Sequence, residues 1–217
     1  MEAYNEIIAV IALAMGASWA SGINLYATIL TLGIASSTGA MELPENLQIL
    51  SNPLVIGSAG LMYLVEFFAD KIPGVDNLWD SIHTFIRIPA GALIAGGAVG
   101  DANLALEVSA AILGGGMAAA THATKAGSRV MINTSPEPVS NWTASIAEDI
   151  AVFTGLWAAL NHPYVFVGFM VIFILLLVWL LPKIFMGIKK VFGFLFGKNK
   201  NEDIKKEIDI RKEIEKS

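Results

Sequence analysis

The chain has 217 residues, of which 55% are hydrophobic and 15% charged, with a formal net charge of −5 and a mean hydropathy of +0.62. No basic stripe with interleaved aromatics is present, which excludes a nucleic-acid partner. The absence of cysteine excludes disulfides, thiolate nucleophiles and thiolate metal sites together. Apolar runs recur along the chain at lengths that cross about 30 Å of hydrocarbon, for which a helix needs roughly 20 residues. The expectation is therefore an all-α, polytopic membrane bundle.

Taken in chain order, the N-terminus lacks a basic segment and reads as a retained first helix rather than a cleaved signal. The first span covers residues 6–34 and is interrupted by Ser21-Gly22-Ile23-Asn24, with Asn24 a candidate site residue. A polar loop, 35–52, leads to the second span, 53–71, which holds Glu66 and Asp70. Four residues apart, these share one helix face. Two close carboxylates repel, so the pair either retains a proton or holds a cation.

The segment PGVDNLWDSIHTFIR follows. Val75, Leu78, Trp79, Ile82 and Ile86 form one apolar stripe, and Asp76, Asp80, His83 and Arg87 form a polar one on another face. This predicts an amphipathic helix begun at Pro-Gly, lying at the membrane surface with its polar face in water or tucked between helices. Turned onto a cavity instead, Asp76, Asp80 and His83 offer hard oxygens and an imidazole to a divalent cation. That spacing matches no specific metal motif.

A third span, 84–100, is short and rich in small residues. The fourth, 102–127, is interrupted by Gly114-Gly115-Gly116 and ends with His122, Lys125 and, just beyond, Arg129. Arg129 reads as snorkelling to the interface. Lys125 and His122 sit among Ala, Gly and Thr, residues suited to close packing, and His122 reads equally as a proton relay or a satisfied core residue. A rigid Pro-Glu-Pro turn precedes the fifth span, 141–160, in which Glu148 and Asp149 diverge by about 100°. Their natural partners are Lys125 and Arg129 on the preceding helix. The Asn-x-Ser/Thr matches at Asn133 and Asn141 fall in a loop placed inside and are discounted as glycosylation sites. The sixth span, 163–181, is the most uniformly apolar; an interfacial amphipathic helix, 182–197, and a charged cytoplasmic tail, 198–217, complete the chain.

With the N-terminus cytoplasmic, all fourteen Lys and Arg fall inside and the outside loops hold none, as the positive-inside rule requires. Both termini are then cytoplasmic, in a bacterial inner membrane. Six spans divide as three plus three, a parity that admits an inverted repeat with broken helices. The ionisable groups concentrate toward the cytoplasmic half, which predicts a polar vestibule open to the cytoplasm, with Asn24 near its floor.

ADKIPGVDNLWDSIHTFIR (residues 69–87) and THATKAGSRVMINTSPEPVSNWTASIAED (residues 121–149) resemble a family of small, mainly bacterial, multi-helix membrane proteins known as a domain of unknown function. The resemblance covers about residues 8–160, and the sixth span and tail look like this chain's own ending. It implies that the two motifs are shared by the family and carries no mechanism.

Three functional classes remain. The first is a transporter or channel for a small ion or solute, proton- or cation-linked through Glu66, Asp70, Glu148 and Asp149, with His122 and Lys125 as charge partners. The second is an intramembrane enzyme acting on a lipid headgroup, for which no nucleophile–base–orienter set is evident. The third is a structural or assembly subunit, for which the Gly/Ala faces suggest a homodimer.

Overall fold

In a computed structural model, residues 2–100, 103–134 and 138–214 are described, with side chains other than those of Ala3 and Pro138 described to residue 190. The described residues are helical and contain no strand. Six α-helices follow in order: α1 (Glu2–Ser37), α2 (Pro53–Ala69), α3 (Val75–Ala98), α4 (Leu104–Ile132), α5 (Pro138–Asn161) and α6 (Pro163–Ile214); a 3-10 helix, Glu45–Ser51, precedes α2. Helix starts follow local chemistry. Asn52 accepts from the Leu54 N–H at 2.9 Å ahead of Pro53, and Asn103 accepts from the Leu106 N–H at 3.0 Å. Gly74, at φ +86°, makes the turn into α3.

The bundle is organised around α1, which touches all five other α-helices. One of its sides packs Leu13, Ala17, Leu25 and Leu32 against Leu43, Leu47, Leu50 and Ile94. Another packs Trp19, Ala20 and Ile23 against Val152, Leu156, Phe166 and Met170. A helix buried around most of its circumference is apolar around most of its circumference, and α1 is.

Asn24 breaks α1. Its backbone is extended (φ −146°, ψ 98°), and its side-chain oxygen accepts from the Ala27 N–H at 2.9 Å. It therefore caps a second half-helix, and the interruption expected at residues 21–24 is a true discontinuity. The interruption expected at Gly114–Gly116 is not one, because α4 is a single helix from Leu104 to Ile132. Those glycines serve close approach. A Cβ on Gly114 would collide with Ala95 and Ser18, and one on Gly91 would stand 2.5 Å from the Ala118 Cβ. Ser18 Oγ donates to the Gly91 carbonyl at 3.0 Å, so α1, α3 and α4 meet at backbone distance.

The surface amphipathic helix and the third span expected from sequence are one helix, α3, which runs through Pro89. Its orientation reverses the surface expectation. Asp76, Asp80, His83 and Arg87 are buried, whereas Leu78, Ile82 and Phe85 are exposed, Phe85 by 82%. Likewise α6 continues past Pro182, so no break separates the apolar span from the segment that follows. The interfacial face expected beyond residue 190, the side chains of the tail and the turns at 101–102 and 135–137 lie outside the described residues.

Among the described residues four helices are long and apolar enough to cross a membrane, and a fifth span results if the 3-10 helix and α2, bent by 65°, count as one. Long apolar helices with charge inside and apolar side chains outside are the construction of a membrane protein.

Candidate functional site

The C-terminal end of α2, the N-terminal half of α3, the C-terminal half of α4 and the N-terminal half of α5 meet at one end of the bundle. Helix alternation places them there, and their charged residues form a single buried network. Arg87 is fully buried and donates to Glu66 at 2.5 Å and Asp80 at 2.9 Å. Lys125 Nζ lies 2.8 Å from Asp70, 3.4 Å from Glu66, 3.5 Å from Glu148 and 3.8 Å from Asp80. Arg129, also fully buried, forks onto both Glu148 oxygens at 3.2 and 2.6 Å. Its Nη1 donates to the backbone carbonyls of Asp70 and Asn141, each at 3.1 Å.

The helix break in α1 enters this network from both sides. The Ile23 carbonyl, at the end of the first half-helix, accepts from Lys125 Nζ at 3.1 Å. Asn24, at the start of the second, donates to Asp149 Oδ1 at 3.3 Å. A helix C-terminus carries partial negative charge and an N-terminus partial positive charge, so each half faces its favoured ion.

Glu66 lies on α2 with Asp70 at its C-terminal cap, and Glu148 and Asp149 lie on α5, while the cations Arg87, Lys125 and Arg129 lie on α3 and α4, α3 also carrying Asp76 and Asp80. The α3–α4 pair packs closely along its length, but α2 touches α3, and α5 touches α4, only sparsely. Ion pairs join α2 and α5 to the α3–α4 pair.

Counting Lys71, four cations face six carboxylates: Glu66, Asp70, Asp76, Asp80, Glu148 and Asp149. Two negative charges are in excess if all are ionised. Moreover, Glu66 Oε2, Asp70 Oδ1, Asp80 Oδ2 and Asp149 Oδ2 are buried without a hydrogen-bond partner. Uncompensated buried charge is costly.

Both buried histidines have their tautomers fixed by their neighbours. Arg87 can only donate, and its Nη1 is 3.0 Å from His122 Nδ1, so that nitrogen accepts. His122 Nε2 then donates to Thr84 Oγ1 at 2.7 Å, and Thr84 donates to the Asp80 carbonyl at 2.9 Å. His83 stacks on Trp79, donates from Nδ1 to the Trp79 carbonyl at 2.8 Å, and accepts at Nε2 from Tyr26 Oη at 3.0 Å. The bond accepted at Nδ1 makes the His122 ring neutral in this arrangement, and both nitrogens of each ring have a hydrogen-bond partner.

The family model for the domain of unknown function DUF4126 matches residues 11–183. The chain belongs to this family. No curated protein and no solved structure matches it. The DUF4126 match extends beyond residue 160 into α6 as far as Lys183, so the sixth span, 163–181, is part of the family's domain and not an ending peculiar to this chain, while the tail lies outside the match.

Of the residues singled out from sequence, Glu66, Asp70, Asp80, Lys125 and Glu148 converge directly, and Asn24, His122 and Asp149 border them. Asp76, Asp80 and His83 do not converge on a shared point. Asp76 accepts from Asn133 Nδ2 at 2.9 and 2.8 Å and from the Gly74 and Asn77 N–H groups, which ties the start of α3 to the end of α4. Among the described residues no group of three His, Asp or Glu is arranged to hold a metal. The vestibule expected to be open is closed in this conformation. Glu148, its side chain 20% exposed, and the half-buried Asp149 mark the edge of the network.

Arg87 and Arg129 are central, although the polar stripe of α3 reads as a wet face and Arg129 reads as snorkelling. Asn133 and Asn141 are also structural, with Asn141 Nδ2 donating to Asn133 Oδ1 at 2.6 Å. Their sequence signal is the glycosylation pattern, together with a capping position for Asn141 (or Ser140) at the start of the fifth span; α5 instead begins at Pro138, which puts Asn141 inside the helix. Lys71 donates to Ser145 Oγ at 3.2 Å and to the Phe67 carbonyl at 2.9 Å, a partnership with no sequence signal.

Proposed function

We propose that this DUF4126 chain is a membrane transporter or channel for a small ion or solute, linked to protons or cations through its buried carboxylates. The observation that carries the reading is the broken α1, whose two half-helix ends meet Lys125 and Asp149 inside the charge network. Discontinuous helices that present backbone ends to ions in a bundle interior are a recurrent device of membrane transporters. The excess of two carboxylates adds a reason for the network to exchange protons or cations. The sparse packing of α2 and α5 against the α3–α4 pair adds a means, because the ion pairs between them can be remade without disturbing the close α3–α4 contact. In this reading α3 and the bent 3-10/α2 pair join the four long apolar helices as six crossings, with both termini cytoplasmic by the distribution of Lys and Arg.

The test is pH- and ion-dependent flux in proteoliposomes, comparing wild type with Glu66→Gln and Glu148→Gln. Flux that either substitution abolishes, in protein with an unchanged melting profile, supports the proposal. A structural role has one observation in its favour: Arg87, Lys125 and Arg129 each have a carboxylate partner. It predicts no flux under any gradient and lowered stability in both variants.

A further inference from the structure

Lys125 occupies an unusual position. Its ammonium is surrounded by oxygens of Ile23, Glu66, Asp70, Asp80 and Glu148, contributed by α1, α2, α3 and α5. An ammonium has three N–H donors. The hydrogen bonds to the Ile23 carbonyl, Glu66 and Asp70 use all three, and the oxygens of Asp80 and Glu148 at 3.8 and 3.5 Å take their hydrogen bonds from Arg87 and Arg129 instead. The ammonium therefore bonds only three of the five oxygens around it, whereas a spherical ion has no fixed number or direction of bonds.

We propose that this oxygen cage is a binding site for a small monovalent cation, occupied in this conformation by the tethered Lys125 ammonium and taken by a free ion when the lysine withdraws.

Three further observations point the same way. Glu66, Asp70 and Asp80 are each more than nine-tenths buried, and each keeps its second carboxylate oxygen without a hydrogen-bond partner. Spacing favours an ion of ammonium-like size: the oxygens stand 2.8–3.8 Å from the centre, whereas Mg²⁺ and Ca²⁺ need roughly 2.0–2.6 Å. Charge favours a monovalent ion, which replaces the lysine charge for charge. The Ile23 carbonyl is available because α1 breaks at the next residue, so the discontinuity supplies the cage's one backbone ligand. Lys125 itself is on a flexible four-carbon stem that can leave without moving the closely packed α4. The partly exposed Glu148 marks the side from which an ion enters.

The proposal rests on the transport reading for its role in the cell, and its test uses a different readout. Lys125→Ala empties the cage, and Lys125→Met removes the charge while leaving a side chain to fill the space. Each is extracted in potassium chloride, and its thermal melting is compared in N-methyl-glucamine, sodium, potassium and ammonium chlorides at equal ionic strength. Lys125→Ala is expected to melt about 4 °C higher in one of the small cations at roughly tenfold its dissociation constant than in N-methyl-glucamine. Wild type and Lys125→Met are expected to be indifferent to cation identity. A Lys125→Ala protein that is equally stable in all four salts, or unfolded in all four, overturns the cage. Acid-dependent flux alongside a cation-blind Lys125→Ala would discard the cage and keep the transport reading. A cation-responsive Lys125→Ala without flux would do the reverse.

Discussion

Replacing Arg87 by methionine is the sharpest test of the buried network. Arg87 has no exposure to solvent, and its guanidinium holds Glu66 at 2.5 Å, Asp80 at 2.9 Å and His122 Nδ1 at 3.0 Å. Methionine keeps much of the volume and removes the charge, which leaves two carboxylates in a site built for their ionised forms. Breaking a buried pair by removing one partner costs about 3–5 kcal/mol. At roughly 2–4 °C per kcal/mol for a chain of this size, the melting temperature should fall by about 6–20 °C. The chain has five tryptophans and no cysteine, so intrinsic fluorescence in detergent is the natural readout. Adding Glu66→Gln and Asp80→Asn to Arg87→Met removes the stranded charges and should restore more than half of the loss. A drop below about 3 °C in Arg87→Met would refute the reasoning, since a pair costing under 1 kcal/mol to break is not dry. A large drop that the two amides do not relieve would assign the cost to packing.

Asn24→Ala should cost about 1–2 kcal/mol by removing the cap of the second half-helix and the donor to Asp149, and Asn24→Ser, which keeps a capping oxygen, should recover part of it by the same melting assay. The small-residue contact predicts opposite signs at two glycines. Gly91→Val drives a side chain into Ala118 and Ser21 and should destabilise by about 1–3 kcal/mol, whereas Gly116→Ala meets open space and should stabilise by up to about 1 kcal/mol. Equal behaviour of the two variants would refute the close approach of α1, α3 and α4.

Much of this arrangement was legible in the sequence because helices convert spacing into direction. Glu66 and Asp70 share a face by their four-residue separation, and both reach Lys125. The antiparallel order of α4 and α5 matches Glu148 and Asp149 to Lys125 and Arg129; Glu148 meets both cations, whereas Asp149 takes Asn24. The break at Asn24 was visible because Ser-Gly-Ile-Asn supplies both a weak helix former and a capping side chain. The orientation of α3 was misjudged because an amphipathic pattern gives two faces without saying which solvent each one meets. In water the polar stripe faces out, and in hydrocarbon it faces in. Exposed Phe85 and buried Asp80 show the second. The glycine run in α4 carried the same ambiguity, since glycine both breaks helices and lets them touch, and only the partner helix decides. Asn133, Asn141 and Ser145 were missed because their contacts join different elements through groups with no spacing rule of their own.

The placement of the ion pairs along the chain has a consequence for how the protein enters the bilayer. Its cations sit where an isolated helix would resist insertion, at about 2.5–3.5 kcal/mol for each Arg, Lys or Asp near a helix centre. Arg87, however, pairs with Glu66 only 21 residues upstream, and Arg129 pairs with Glu148 only 19 residues downstream. Each pair closes one helical hairpin, α2 with α3 and then α4 with α5. During synthesis the two hairpins can each enter as a neutralised unit, and Lys125 is the residue whose acidic partners come from both. In the proposed six-span arrangement the two hairpins are joined through Lys125, which reaches Asp70 at the end of α2 and Glu148 on α5.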